Sequence, residues 1–440
     1  MNETIPSPPG WVDEPDGRGT WGILSTCILT IILCCWTSVF PNIRGQSDGP
    51  IRQLKYKFDL ACIGLLGPEF LLMLALGQWS SARASVEKFR AMGYKNWTLS
   101  HAFFADMGGF VIEVPGMTFP IDAEQLYRLI EGGYIDYPHL DEEDIKDKSK
   151  SDGLTRLIAI LQALWFSINC ILRAVQHLAL TTLELTTLSF IIIFLVTSYC
   201  WHHKPMDISR PITLSLNYPL DIIRSHHHQP LGEWYQTPLS FLSRDEWFCS
   251  RFWRYYVRIL HYLRVPLFTR PRTIPYDRIP SDNFPRVDVW AEVICAPAIL
   301  FFSCMFLFAW NFSFPSTVER VLWRAASVYT LAFGLGGGIF CGYCHKMMFP
   351  KRIESEVLPG CEKKTAKGWL GRVADKLRNI HPDKDPELEI PLRVFIPLTM
   401  LCSVYCVCRG FILVEDIIGL RKLPDTAFDT VSWSKYIPHW

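Results

Sequence analysis

Apolar runs close to the ~20 residues that a membrane-crossing helix requires recur along the chain at 21–40, 59–79, 178–200, 291–310, 325–344 and 392–414. They predict an all-α fold, a polytopic transmembrane helical bundle of six to seven spans. The count turns on 154–176, which is apolar at Leu157, Ile158, Ile160, Leu161, Leu164, Trp165 and Ile168 but holds Arg156 and Arg173. Read as a span, it would leave almost no turn before His177 and would export the basic loop that follows Tyr199. The segment is therefore expected to lie in the interface or to re-enter it.

Charge gives the runs an orientation. The first has no basic leader and no small-residue cleavage site near Pro41-Asn42, so it reads as a retained span. Asp13, Glu14 and Asp16 precede it, and Arg44, Arg52, Lys55 and Lys57 follow it. Because flanking Lys and Arg stay in the cytoplasm, the N-terminus is expected outside. Residues 80–153 carry eight basic against thirteen acidic side chains, which suits an acidic external loop. Residues 201–289 carry twelve basic and eight acidic side chains, which suits a basic cytoplasmic loop. Within it, Arg251, Arg254 and Arg258 alternate with Phe252, Trp253, Tyr255 and Tyr256, the pattern of an amphipathic helix on an anionic leaflet. The sequons at Asn2, Asn96 and Asn311 all fall on the external side of this topology, so a glycoprotein of the endomembrane system or plasma membrane is expected.

Composition supports the membrane reading and removes other classes. Hydrophobic residues make up 49% of the chain, with 16 Trp and 28 Phe, above the usual share for a soluble domain. The formal charge of +1 gives no electrostatic reason for a nucleic-acid partner. Most of the 15 Cys sit in apolar runs and read as small buried hydrophobes. His202-His203 and His226-His227-His228 lie on Pro-flanked loops and do not offer convergent metal geometry. Cys341-Gly342-Tyr343-Cys344 followed by His345 stands alone at a span end and reads as packing. No nucleotide, flavin or zinc-protease motif is present, so no cofactor and no metal are expected.

The candidate chemistry lies in acids placed where lipid-facing residues should be apolar. On a helix, His177, Thr181, Glu184 and Leu188 follow i, i+4, i+7, i+11 and share a face. An ionised group at mid-bilayer costs about 2.5–3.5 kcal/mol on insertion scales, so Glu184 must face a cavity or carry a proton. Glu69 follows Gly67-Pro68 in the second run, where the proline predicts a kink. His101 and Asp106 lie in 97–110, a stretch dense in aromatic and titratable groups. If that loop folds back over the helix ends, Glu184, Asp106, His101 and Glu69 form one catalytic set with aromatic walls. The alternative is a set of interhelical hydrogen bonds that hold the bundle together.

The residues also carry a resemblance. Arg18-Gly19-Thr20 leads into a first span ending Cys35-Trp36-Thr37. Gly67-Pro68-Glu69, Trp97-Thr98 with 101–110, Asp147-Lys148-Ser149-Lys150, Leu183-Glu184-Leu185 and Lys204-Pro205 follow. Ala309-Trp310-Asn311 with Phe314-Pro315, Leu322-Trp323-Arg324 and Tyr436-Ile437-Pro438-His439 complete the set. Together they resemble a large fungal family of multi-pass membrane proteins, over nearly the whole chain. Many of those proteins are longer, and Cys200 and His202-His203 stand where others are Trp-rich. Some similar membrane proteins of meroterpenoid secondary metabolism act as terpene cyclases. The resemblance thus implies a membrane-embedded terpene cyclase that protonates a prenyl chain, with the lipid bilayer and a hydrophobic isoprenoid-type small molecule as partners. Glu184 is the first choice of acid, Asp106 the second, and His101 the orienter or base. A transporter or channel using the same acids, and a non-catalytic receptor or scaffold, are the alternatives.

Overall fold

The computed structural model describes residues 11–348, 369 and 392–433, apart from 14–17, 46–47, 150–152, 209, 230–233, 235, 244–246, 270 and 272. It is mostly helical. Among the described residues, five helices are long and apolar enough to cross a membrane: α1 (Thr20–Thr37), α7 (Gly153–Val175), α8 (Thr182–Cys200), α11 (Val289–Phe308) and α13 (Leu392–Ile418). Another long helix, α12 (Thr317–Met348), overlaps the expected run at 325–344. Cys341, Cys344 and His345 lie in its final turns, where side chains fall outside the described residues.

The expected span at 59–79 is not one helix. It divides into α2 (Pro50–Leu66) and α3 (Pro68–Ala91), bent by 120°. Gly67 closes α2, and Pro68 opens α3 at the first helical position, where its missing amide would have had no partner in any case. The chain therefore dips toward the middle of the bundle and turns back.

The segment expected at the interface is a full-length helix. α7 buries only Ala159, Ala163, Phe166, Cys170 and Arg173, a stripe at i, i+4, i+7, i+11, i+14 that packs on the bundle. Leu157, Ile158, Leu161, Leu164, Trp165, Ile168 and Ile171 point outward, as lipid-facing residues should. The two arginines that argued against a span are handled by the protein. The Arg156 guanidinium lies 4.6 Å over the Phe40 ring, and Arg173 donates to the carbonyls of Ala179, Thr426, Ala427 and Asp429.

The chain between 92 and 152 and the chain between 201 and 288 come to the same end of the bundle. The first contributes α4 (Leu99–Asp106), β1 (Phe110–Val114), β2 (Met117–Ile121), α5 (Ala123–Glu131) and α6 (Glu142–Lys148). The second contributes β3 (Ile212–Leu214), α9 (Leu220–His226) and α10 (Phe248–Tyr262). β1 pairs antiparallel with β2 through the Pro115-Gly116 turn, where Gly116 has φ +84°, a value suited to glycine. It pairs in parallel with β3, Phe110 opposite Ile212. One sheet cannot straddle a bilayer. The pairing does not fit the assignment of 80–153 to the outside and 201–289 to the cytoplasm, because it brings the two segments together in one sheet. Within the second segment, α10 lays Phe252 and Tyr255 against Phe395 at the start of α13, at 6.1 and 4.4 Å.

Candidate functional site

Between the outer half of α3, the α4–α5 corner and the chain from 236 to 292 lies an open cleft of about 1060 Å³. α3 reaches it because Gly77 lets the 283–287 backbone approach. A Cβ at Gly77 would stand 2.5 Å from the Pro285 carbonyl oxygen. Ser80 and Asp288 bond across the same contact, while the Asp288 side chain also caps α11 through the Ala291 amide.

Asp106 closes α4 and lies on the cleft wall. Its carboxyl accepts from the Ser81 hydroxyl at 2.9 Å and from the Ala123 amide at 3.1 Å. Enclosure, followed by the neighbouring Asp122 carboxylate, pushes its pKa from the ordinary 3.8 up to about 7, against the pull of those two donors and of Lys204. Asp122 is also pushed up by burial, and its side chain caps α5 through the Gln125 amide at 2.8 Å.

Behind this wall sits a buried cation. The Lys204 ammonium donates to the Phe40 carbonyl at 2.9 Å and to Gln78 Oε1 at 2.8 Å, and stands 4.7 Å over the Trp201 ring. The same Gln78 oxygen accepts from Trp201 Nε1 at 3.1 Å. Burial lowers the Lys204 pKa from 10.5 to about 7, partly offset by Asp106. Sequence reasoning missed Lys204 as a functional residue. Its signal was Lys204-Pro205 immediately after a span, a place where a lysine ordinarily reaches solvent.

The four acids and bases singled out from the sequence do not form one set. No hydrogen bond or ion pair joins any two of Glu184, Asp106, His101 and Glu69 among the described residues. Glu184 is not mid-span. His177 lies in the preceding turn at φ +56°, Thr181 is the N-cap, and Glu184 is the third residue of α8, bonding back to the Thr181 amide and hydroxyl at 2.8 and 3.0 Å. It also pairs with Arg18 and lies 4.0 Å from Arg173. That is a pin between the start of α1, the end of α7 and the start of α8.

His101 caps α4 in the same way, with Nδ1 2.8 Å from the Thr98 hydroxyl and Nε2 2.8 Å from the Leu140 carbonyl. Its ring lies 5.3 Å from that of Trp97. Both ring nitrogens are used in holding the chain.

Glu69, in the first turn of α3, accepts from the Tyr405 hydroxyl. Its other oxygen has no partner among the described residues. Arg409, one turn along α13 from Tyr405, is fully buried and faces it. Arg409 forms no hydrogen bond with Glu415 or Asp416 among the described residues.

A family of unknown function (DUF8562) matches residues 3–221 and 283–440. The chain belongs to that family. Gln78, Ser81, Asp106, Asp122 and Lys204 lie inside the matched segments, whereas the cleft wall at 236–282 lies outside them. No curated protein and no solved structure matches the chain.

Proposed function

We propose that this is an integral membrane enzyme in which Asp106 acts as general acid and base on a lipid-borne substrate. Six helices cross the bilayer in this reading, α1, α7, α8, α11, α12 and α13, while α2 and α3 form a re-entrant pair. The cleft then faces the cytoplasm. Loops 80–153 and 201–289 together carry twenty Lys and Arg, against one in residues 1–19, none in 309–316 and three in 419–440, and basic loops remain inside.

The observation that carries the reading is Asp106, a carboxyl set in the wall of a cleft large enough for a substrate and pushed by enclosure up to a pKa of about 7. Such an acid is efficient at giving and taking protons near neutrality. The cleft also reaches the bilayer, because its lining includes Asp288, Val289 and Glu292 at the start of α11, where Val289 and the adjacent Trp290 are exposed on the helix surface. A substrate with a polar head and a hydrocarbon tail suits both environments.

The reaction that fits an acid with no cofactor motif is cyclisation of a prenyl chain. Asp106 delivers its proton to an alkene or epoxide, the π electrons of the neighbouring alkenes close the rings, and the final cation returns a proton to a base. The product is then an isomer of the substrate. Phe241, Trp247, Tyr276 and Phe284 line the cleft and offer ring faces to a passing cation.

The test is incubation of membranes containing the protein with a panel of farnesylated phenols, followed by mass spectrometry and NMR. A cyclised isomer of unchanged mass, absent with Asp106→Asn at equal abundance, is the expected result. Equal product from Asp106→Asn removes the residue from the chemistry, and no product from any member of the panel counts against the substrate class.

A further inference from the structure

The interior of the bundle holds a row of polar groups that the cleft chemistry does not use. Tyr405, Arg409, Ile412 and Asp416 follow i, i+4, i+7, i+11 on α13, one face of the helix, and all four are buried. Arg409 lies at the middle, its guanidinium 5.1 Å over both Phe302 and Phe306 of α11 and 5.9 Å over Phe190 of α8. It is close enough to Glu69 on one side and to Asp416 on the other to feel both. Yet none of its three nitrogens meets a hydrogen-bond partner among the described residues.

The neighbours are in the same position. Both Asp416 oxygens, one oxygen of Glu69, one of Glu415 and the Thr186 hydroxyl lack partners among the described residues. Asp416 lies close enough to the Thr182 and Thr186 hydroxyls to feel both, but at a geometry short of a full hydrogen bond. A single buried guanidinium without a partner carries a penalty of several kcal/mol, and native interiors rarely leave such groups unpaired. Here the unpaired atoms are contiguous, drawn from three helices, and of both donor and acceptor type. Buried water meets that demand, since one molecule makes about three hydrogen bonds to otherwise unsatisfied groups.

The row also has a direction. From Tyr405 to Asp416 is about 16 Å at ~1.5 Å per residue, roughly half of a ~30 Å hydrocarbon core. Its inner end is Glu69, beside the Gly67-Pro68 bend. Its outer end is Asp416 beside Thr182, at the start of α8, on the face opposite the cleft. Glu415 is buried beside Asp416, and the Arg421–Glu319 ion pair lies at the rim.

We propose that this row is a water-filled half-channel, open to the face that carries the α7–α8 turn, through which Glu69 exchanges protons with the solution on that side. Three carboxyl groups stand against one guanidinium along it, so it admits protons and small cations in preference to anions. The site is independent of the cleft and stands whether or not Asp106 is catalytic.

The experiment is cysteine accessibility in the full chain reconstituted in liposomes. Thr186→Cys and Ile412→Cys place thiols in the row from two helices. Ile191→Cys places one in the apolar cluster shared with α1 and α7. Each variant is exposed to a membrane-impermeant cationic methanethiosulfonate on the face of the α7–α8 turn, and intact mass is compared with that of the parent protein under the same treatment. The expected result is an added label at either row position and none at Ile191→Cys. Should one row variant fail to fold, the other carries the measurement. Row variants that melt with the parent protein and take no added label mean a dry core and overturn the proposal. Labelling of Ile191→Cys as well means general opening of the bundle and overturns it equally.

Discussion

Asp106 accepts two hydrogen bonds and still titrates near neutrality, so its structural and chemical roles can be separated. Asn at 106 keeps the shape and one acceptor oxygen, forfeiting one of the bonds from Ser81 and Ala123, about 1 kcal/mol, and it has no acidic proton to give. Asp106→Asn is expected to melt within a few degrees of wild type and to make no product. The sign of the pH effect follows from the raised pKa. Between about 4 and 7 the folded carboxyl holds a proton that the unfolded chain has released, so Asp106 makes stability fall as pH climbs through that window. Lys204 acts oppositely. Its folded pKa lies below its unfolded one, so its contribution rises with pH above about 7. Melting temperature against pH is expected to show a shallow minimum near 7, and Asp106→Asn to flatten the acid side of it. Activity that needs protonated Asp106 falls as pH rises through about 7. Glu184 behaves differently. Glu184→Gln breaks the bond from Arg18, about 1.5–3 kcal/mol for a bond between charged groups, and is expected to lower thermal stability while leaving the activity of the folded fraction intact. Loss of product at unchanged melting temperature would return Glu184 to the catalytic list.

Element by element, the two departures from expectation have one cause each. Gly67-Pro68 was legible as a kink, because Pro lacks an amide and restricts its predecessor. That the kink reaches 120° depends on what surrounds it: Tyr405 reaching Glu69 from α13 and stacking edge-on to Phe70 at 5.7 Å. Since Pro68 occupies the first helical position, Pro68→Ala breaks no hydrogen bond and only restores freedom to the unfolded chain. A loss of about 0.4–1 kcal/mol with normal activity is expected, measured by thermal unfolding in detergent. α7 was read as interfacial because Arg156 and Arg173 were counted as charges in lipid. Their partners are the Phe40 ring and four backbone carbonyls, and apart from the Ala179 carbonyl these come from distant parts of the chain, so no window of sequence reveals them. If α7 crosses, Leu161→Arg places a charge on its lipid face at a cost of about 2.5–3.5 kcal/mol near the bilayer centre. Reduced membrane insertion in a glycosylation-reporter assay is expected, whereas an interfacial helix would accept the change.

For the whole molecule, the pairing of β1 with β3 holds together two loops that charge counting had placed apart. The net negative charge of 80–153 suggested the outside, but the positive-inside rule counts Lys and Arg, and acids weigh little in it. If both loops lie inside, as proposed, Asn96 and His227 are expected to label from the same, cytoplasmic face in a cysteine-accessibility map. Asn96, though exposed and part of a sequon, is expected to carry no glycan, and glycosidase treatment should leave its tryptic peptide unchanged. Labelling of the two positions from opposite faces would break the sheet into two compartments and sink this topology.

The sequence by itself determined the class of this protein: helical, with several runs long and apolar enough to cross a membrane and with acids and arginines inside them. Those properties follow from local patterns, run length and the rarity of charge in lipid, and each can be read without knowing what lies across the bundle. It also picked out Asp106 and Glu69, since aromatic crowding and a Pro-kinked acid are local signals. Which acid meets a cleft, which merely caps a helix, and which stands unpaired were decided by tertiary structure. Glu184 and Asp106 look alike in sequence. One faces Arg18 from 166 residues away, and the other is enclosed beside Asp122 with Lys204 behind it. A carboxyl group's protonation and partners depend on charges and dielectric within a few ångströms, and in a folded bundle those neighbours are supplied by helices distant in the chain.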